Sequence, residues 1–282
     1  MKYLFKTTIL LGILTGIFLA VGYVLGGQSG LLLALIFSAF TNFISYYYSD
    51  SIIISMYGAK ELTPQEAPGL FRIAEKLAQR ANIPIPKLYI IDMDQPNAFA
   101  TGRDEHHSKV VVTSGLLKLL NEDEIMGVLA HEFSHIKNKD ILISTIAATI
   151  AGAISALVNI FQFSLIFGAQ DRDRNSNPIV AILLIIITPI IASIIQFAIS
   201  RSREFAADAT GAHICGCPLS LAKALKKIHD YVERSPVEVN QGTAALFIEN
   251  PMGSLGQLFS THPPTEERIK RLVDMAKEMG QI

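Results

Sequence analysis

Charged residues are scarce in this chain: only 17% of its 282 residues are Asp, Glu, Lys or Arg, whereas 50% are hydrophobic. Soluble globular proteins usually carry about a quarter charged residues. The scarcity is also local, because three stretches contain no charged residue at all: 7–49, 141–170 and 175–200. This composition excludes an ordinary soluble protein and is typical of a membrane protein.

Basic tracts and cysteines are also lacking. The formal net charge is −1 and no run of Lys or Arg stands out, so nucleic acid is not expected as a partner. Cys215 and Cys217 are the only cysteines. Their Cys-Gly-Cys spacing is compatible with a redox pair or with thiolate ligands, but two isolated thiols are more commonly reduced and structural.

The charge-free stretches are long enough for four membrane-spanning helices, since one span needs about 20 apolar residues. A glycine-containing cluster at 26–30 divides the first stretch into two, and the polar segment 171–174 separates the other two stretches. We therefore predict two spans within 1–50 and a helical hairpin within 141–200. The alternative that the first span is a cleaved signal peptide is disfavoured, because the run is long and lacks a convincing cleavage site.

The basic residues that flank the predicted spans define an orientation. If four spans are present, all six fall on one side of the membrane: Lys2, Lys6, Lys137, Lys139, Arg201 and Arg203. The positive-inside rule makes that side cytoplasmic. The segments 51–140 and 201–282 are then two parts of one cytoplasmic domain.

Local patterns predict the elements of this domain. A Thr63-Pro64 start signal and helical spacing of apolar residues indicate an amphipathic helix that ends near Asn82. Three short strands are predicted at Lys87–Met93, Asn97–Thr101 and Lys109–Thr113. Acidic residues after Asn121 indicate the start of a further helix, which we expect to run through 131–135 into the third span.

The pentapeptide His131-Glu132-Phe133-Ser134-His135 carries the first sign of chemistry. Imidazoles four positions apart lie on one face of a helix and can bind a single metal ion. Glu132 is placed to act as a general base on a water molecule at that metal, as zinc-dependent hydrolysis requires. The motif also arises by chance in about one chain per hundred of this size, so two ordinary helix-face histidines remain the alternative.

A third ligand is expected from the far end of the hairpin. Spans three and four must be antiparallel, so Ile141 and Ser200 lie at about the same depth, and Glu204 comes level with His135. Two histidines and a glutamate form a common catalytic zinc set. Asp208, one turn further on, can accept a hydrogen bond from a ligand histidine. The alternative is a solvated charged face paired with neighbouring arginines.

Four motifs resemble the HtpX protease group of the M48 metallopeptidases. They occur in the family's order at Asn97–Gly102, His131–His135, Ser202–Asp208 and Ser260–Ile269, and the resemblance extends over nearly the whole chain. It implies a mainly α membrane protein with a zincin-like α+β catalytic domain, four transmembrane helices and a small β-sheet beside the active-site helix. It also implies a zinc endopeptidase in the prokaryotic inner membrane that faces the cytoplasm and degrades misfolded or damaged membrane proteins in stress-related quality control.

The resemblance assigns roles to particular residues. One Zn²⁺ per chain would be bound by His131, His135 and Glu204, and Glu132 would be the general base. His262 or Arg268 would complete the stabilisation of the oxyanion. The edge strand that binds extended substrate would be formed by Asn97, Ala98, Phe99 and Ala100. The lipid bilayer is the other expected partner, and the sequence leaves the oligomeric state open.

Two rival functions are less consistent with the sequence. In an intramembrane-cleaving metalloprotease the histidine motif would lie within a span, but charged residues bracket it at 121–124 and 137–140. In a non-enzymatic polytopic membrane protein, such as a transporter, the histidines would only pack. Coupled transporters often need ionisable residues inside their spans, and the four predicted spans contain none.

Overall fold

The structure is a computed structural model that describes residues 2–150, 201–237, 246–252 and 263–282. Most of the predicted hairpin of spans three and four, its polar segment 171–174 and His262 lie outside the described residues.

The N-terminal part is a helical hairpin. Helix α1 (Lys2–Met56) is interrupted at Gly26 and Gly27, where the backbone leaves helical geometry and Gly27 adopts a φ of 57°. The two arms pack closely: Asn42 donates to the Thr15 hydroxyl over 2.9 Å, and a Cβ on Gly22 would lie 2.6 Å from the Gly30 carbonyl oxygen. The hairpin predicted for this segment is therefore present, although its second arm continues to Met56 and not only to residue 50.

One segment of the described chain, Gly26–Met56, is a helix long and apolar enough to cross a membrane. Its large apolar side chains are turned outward, with Leu33, Ile36 and Phe40 all more than 60% exposed. A contiguous exposed apolar surface of this kind is expected of a helix that faces lipid. The first arm contains a shorter apolar stretch, Thr8–Ala20, and the beginning of the third predicted span is helical as α5 (Ile141–Ile150).

The described residues contain a sheet of four strands: β1 (Lys60–Glu61), β2 (Lys87–Ile91), β3 (Ala98–Gly102) and β4 (Ser108–Thr113). Their order is β1-β2-β4-β3, with β2 and β4 parallel and the two outer pairs antiparallel. The three predicted strands are confirmed, while the two-residue β1 was not predicted. Strand β3 lies at an edge of the sheet, as the proposed substrate strand requires.

The helices of the domain pack around one apolar core. They are α2 (Pro68–Ala81), α3 (Ser114–Leu119), α4 (Glu122–Lys137), α6 (Arg201–Cys215), α7 (Pro218–Arg234) and α8 (Thr265–Glu278). Helix α4 is central, because its residues Val128, Leu129 and Phe133 are fully buried in the cluster that also receives side chains from the sheet and the other helices. Helix α4 begins where the acidic residues after Asn121 predict, and its N-terminus has a capping box between Asn121 and Glu124.

Helix α4 does not continue into the third span as predicted. It ends at Lys137, and Lys139 takes a left-handed φ of 60° before α5 begins. The Asp140 N–H then donates to the His135 carbonyl over 3.2 Å, which closes the end of the helix. This break turns the Asp140 carboxylate back toward α4.

Two local expectations need correction. Helix α2 begins at Pro68 and not near Thr63, because Thr63 and Glu66 hydrogen-bond to each other within a preceding turn. The two cysteines, expected to be reduced, are joined in a Cys215–Cys217 disulfide at the turn between α6 and α7.

Candidate metal centre

The two motif histidines converge on one point, as the spacing on α4 predicts. Their Nε2 atoms are 3.2 Å apart, and the rings are perpendicular. His131 is almost completely buried, whereas His135 keeps 17% of its side chain exposed. The pair therefore lies at the base of a cavity that is open on the His135 side.

Glu204 completes the group from helix α6. Its carboxylate oxygens lie 3.5 Å from Nε2 of His131 and 3.8 Å from Nε2 of His135. Close packing of α6 against α4 makes this possible: a Cβ on Gly211 would lie 2.9 Å from the backbone of Ala130 and His131. The Ser134 hydroxyl also donates across the interface to the Ala207 carbonyl over 3.0 Å.

The separations within this group fit a small tetrahedral metal site. Zinc bonds of 2.0–2.1 Å to nitrogen and oxygen place neighbouring ligands about 3.3 Å apart in a tetrahedron. The three observed distances of 3.2, 3.5 and 3.8 Å are close to that value. A buried imidazole pair beside a carboxylate is also a donor set that zinc prefers. The residues present therefore fit a bound zinc ion.

Each histidine has a carboxylate behind it. Nδ1 of His131 lies 2.9 Å from Asp208, a short contact whose geometry is not that of an aligned hydrogen bond. Nδ1 of His135 lies 3.1 Å from Asp140. Both placements favour the tautomer that carries its proton on Nδ1 and leaves Nε2 available for a metal. Sequence analysis anticipated Asp208 but missed Asp140, because the left-handed turn at Lys139 gives no periodic signal.

The carboxylates shift the titration of the histidines. Burial lowers the pKa of His135, but the charges of Asp140 and Glu204 outweigh it and raise the pKa to about 10. Burial also lowers the pKa of His131, but the contacts with Asp208 and Glu204 outweigh this effect and raise its pKa above the usual value. Without a metal, the site therefore favours protons on its histidines.

Glu132 lies within the same cavity. Burial raises the pKa of its carboxyl above the usual range, while the neighbouring histidines oppose that shift. The carboxylate also accepts a hydrogen bond from the Ala100 N–H of β3. A glutamate in this setting holds and releases a proton closer to neutral pH than a solvated one does.

Strand β3 borders the cavity with the edge that is turned away from β4. Asn97 and Thr113 exchange hydrogen bonds on the β4 side, so the alternation of a strand directs the backbone groups of Ala98 and Ala100 away from β4. The contact between Ala100 and Glu132 shows that this edge faces the catalytic motif. The structure thus brings Ala98, Phe99 and Ala100 to the cavity wall.

The side chain of Asn97 does not line the cavity but binds a neighbouring segment of the chain. It accepts from the Ile248 N–H over 2.9 Å and donates to the Leu246 carbonyl over 3.3 Å. The segment Leu246–Ile248 lines the cavity, a role that sequence analysis missed because the segment has neither periodic spacing nor a chemical motif.

The structure does not bring Arg268 to the cavity lining. Its Nε and Nη2 each donate to Asp208 over 2.8 Å, and its Nη1 donates to the Ile248 carbonyl over 3.0 Å. Burial by itself would raise the pKa of Asp208, but this guanidinium and His131 lower it to about 2. Arg203, in contrast, is among the residues that line the cavity, as is Glu204.

Comparison with known sequences identifies the family. The sequence profile of peptidase family M48 matches residues 64–276 and so includes every site residue described above. The chain belongs to peptidase family M48. It is 56% identical to a protease HtpX homolog of Aquifex aeolicus over 274 residues, covering 94% of this chain and 91% of that protein. It is 53% identical to a protease HtpX homolog of Pyrococcus furiosus over 281 residues, covering 98% and 97%.

The fold agrees with this assignment. The crystal structure of S. mikatae Ste24p is similar with a TM-score of 0.52 at 20% sequence identity. The match covers 93% of this M48 chain, which spans 62% of the length of the Ste24p chain. The M48 chain is therefore a membrane metalloprotease with a mainly helical fold and a small sheet, as its motifs predicted.

Proposed function

We propose that this M48 protein is a zinc-dependent endopeptidase that hydrolyses misfolded or damaged membrane proteins on the cytoplasmic side of a prokaryotic inner membrane. The observation that carries the proposal is the convergence of His131, His135 and Glu204 within 4.8 Å of one another, with Glu132 in the same cavity. One zinc ion per chain would be held by these three side chains. When bound, zinc supplies Lewis acidity, which polarises a peptide carbonyl and acidifies water.

The other catalytic and positioning roles are assigned to side chains around the proposed metal site. Glu132 takes the proton from the attacking water and later delivers it to the leaving amine, a role that its raised pKa supports. Asp208 and Asp140 hold the histidine rings in orientation from behind. His262, proposed from the family motif, is retained as a donor to the developing oxyanion. We assign Arg268 a positioning role through Asp208, because its three guanidinium nitrogens all contact Asp208 or Ile248.

Substrate is proposed to bind as an extended strand along β3. The outward N–H and carbonyl of Ala98 and the outward carbonyl of Ala100 can pair with any peptide, since backbone pairing reads no side chain. A peptide on this edge passes directly over Glu132, whose carboxylate contacts Ala100. Unfolded segments of membrane proteins meet this requirement because their backbones are not already paired.

The membrane arrangement is proposed as four spans with both parts of the catalytic domain in the cytoplasm. The exposed apolar helix Gly26–Met56 and the basic residues flanking the predicted spans support this arrangement. A reporter active only in the cytoplasm, fused after Ile282, should be active, while one inserted at 171–174 should be inactive. The reverse pattern would refute the orientation.

The decisive experiment compares purified wild type with Glu132→Gln. The variant should keep near-stoichiometric zinc, because Glu132 is not a ligand, and should lose activity by about 10²–10⁴-fold, the range for loss of a general base. Glu122→Gln, on the exposed first turn of the same helix, is the matched control and should remain active. Undiminished proteolysis by the Glu132 variant, or no zinc in the wild type, would refute the proposal.

A further inference from the structure

The cavity beside the proposed metal site is small and has an apolar wall. Its volume is about 50 Å³, which leaves room for only a few water molecules. Its lining combines polar groups, among them Glu132, Glu204 and the two histidines, with apolar side chains such as Ile141 and Phe247. A substrate side chain next to the scissile bond is expected to enter this cavity.

Three hydrogen bonds fix the segment Leu246–Ile248 that forms this wall. The Asn97 side chain binds the Leu246 carbonyl and the Ile248 N–H, and Arg268 binds the Ile248 carbonyl. Asn97 directly precedes the substrate strand β3, and Arg268 binds Asp208 behind His131. The wall is therefore held relative to both the proposed strand and the proposed metal site.

Phe247 is the aromatic residue of this wall, and it lines the cavity together with Leu246 and Ile248. Leu246 packs into a cluster with Ile53 and Phe99, and Ile248 packs into the main core. Phe247 joins neither of these clusters among the described residues, yet only 3% of it is exposed, and it lines the cavity. A buried aromatic ring in the wall of a small cavity limits the size of the side chain that can enter.

We propose that Leu246–Ile248 is a specificity-determining wall, and that Phe247 restricts the adjoining subsite to small apolar side chains such as alanine and valine. This inference rests on the proposed endopeptidase function and adds its substrate class. Asn97 and Arg268 are positioning residues in it, because they hold the wall without lining the cavity themselves.

The test uses the full-length, zinc-loaded protein in detergent and matched fluorogenic peptides that carry Ala, Val, Leu or Phe on either side of the cleaved bond. Wild type should prefer Ala and Val. Phe247→Ala should raise kcat/KM for the Phe peptide relative to the Ala peptide by about tenfold or more, with unchanged zinc content. Asn97→Ala should keep zinc and flatten the preference. Phe71→Leu, on α2 away from the cavity, should leave the preference as in wild type.

The possible outcomes distinguish failure of this inference from failure of the proposed endopeptidase function. If wild type cleaves Phe and Ala peptides equally well, or if Phe247→Ala retains zinc and the wild-type preference, the specificity wall is refuted while the endopeptidase stands. If Phe247→Ala loses zinc or fails to fold, Phe247→Leu is tested in its place. A substrate preference in Phe247→Leu equal to that of wild type would refute the inference. Absence of any zinc-dependent cleavage by wild type would overturn both.

Discussion

Nδ1 of His135 lies 3.1 Å from Oδ1 of Asp140, although the helix that carries His135 has already ended between them. The left-handed Lys139 makes this contact possible by reversing the chain. Asp140 is only 3% exposed, so its carboxylate is available to His135 and shielded from solvent. A helix uninterrupted into the membrane would have carried this aspartate away from the site.

Replacement of Asp140 should weaken the metal site without unfolding the protein. Asp140→Asn keeps the shape but removes the charge that orients His135, and loss of such a partner typically lowers metal affinity about 10–100-fold. Competition with a fluorescent zinc chelator measures this affinity. Asp123→Asn, an exposed carboxylate on the first turn of α4, serves as control. Equal zinc affinity in both variants would contradict the assigned role.

Replacement of Asp208 should cost stability as well as affinity. Arg268 is 1% exposed and bound to Asp208 through two hydrogen bonds, so Asp208→Asn leaves a buried guanidinium without its counter-charge. Breaking a buried pair in this way costs about 3–5 kcal/mol. Asp274→Asn, which removes an exposed pair with Lys277, should cost well under about 1 kcal/mol. Denaturation of the metal-free proteins tests the contrast, and similar midpoints would disprove it.

Gly211→Ala should separate the two helices that carry the ligands. The new Cβ would meet the backbone of Ala130 and His131 at 2.9 Å, and neither group can rotate away. We expect a loss of about 1–3 kcal/mol in stability, together with weaker zinc binding. Gly69→Ala, whose nearest neighbour is 3.9 Å away, should be neutral or stabilising by up to about 1 kcal/mol. Tight zinc binding by the Gly211 variant would show that this close approach is dispensable.

Zinc uptake should release protons. Because the pKa of His135 in the metal-free site is raised to about 10, this histidine is protonated at pH 7, and zinc must displace the proton. Affinity should therefore rise with pH, by up to about tenfold per pH unit for each proton displaced. Calorimetry in buffers of different ionisation enthalpy counts these protons. A binding enthalpy independent of the buffer would rule out the protonated resting state.

Cleavage should be broad in sequence apart from the apolar subsite. Backbone pairing along β3 reads no side chains, so several unrelated unfolded membrane proteins should be cut at comparable rates. Mass spectrometry of the products would give the cleavage sites. Dependence on one extended sequence motif would argue against strand-edge recognition.

The parts of the fold that are encoded locally could be predicted. Short apolar runs bounded by turn residues predicted the three longer strands, and the acidic residues that follow Asn121 predicted the start of α4. The approach of Glu204 to His131 and His135 was expected from chain geometry, and the structure places these side chains together. Strand β1 was missed because two exposed residues carry no pattern; only pairing with β2 defines them.

The remaining features depend on tertiary contacts. Asp140 was missed because the left-handed turn at Lys139 is unusual for a lysine. The position of the wall Leu246–Ile248 depends on hydrogen bonds to Asn97 and Arg268. Asn97 is 149 residues from its partner Leu246, and Arg268 is 20 residues from its partner Ile248. The same bonds explain why Arg268, expected near the oxyanion, lies instead behind Asp208.

The buried pair of Asp208 and Arg268 also sets an order of events during synthesis. His131 and His135 leave the ribosome long before Glu204, and Arg268 follows last of the group that holds the metal site and its apolar wall. A nascent chain that has only its first histidines therefore has no complete ligand set and no neutralised Asp208. The metal site and its apolar wall can therefore take their described form only after α8 has been synthesised and Arg268 has bound Asp208 and the Ile248 carbonyl.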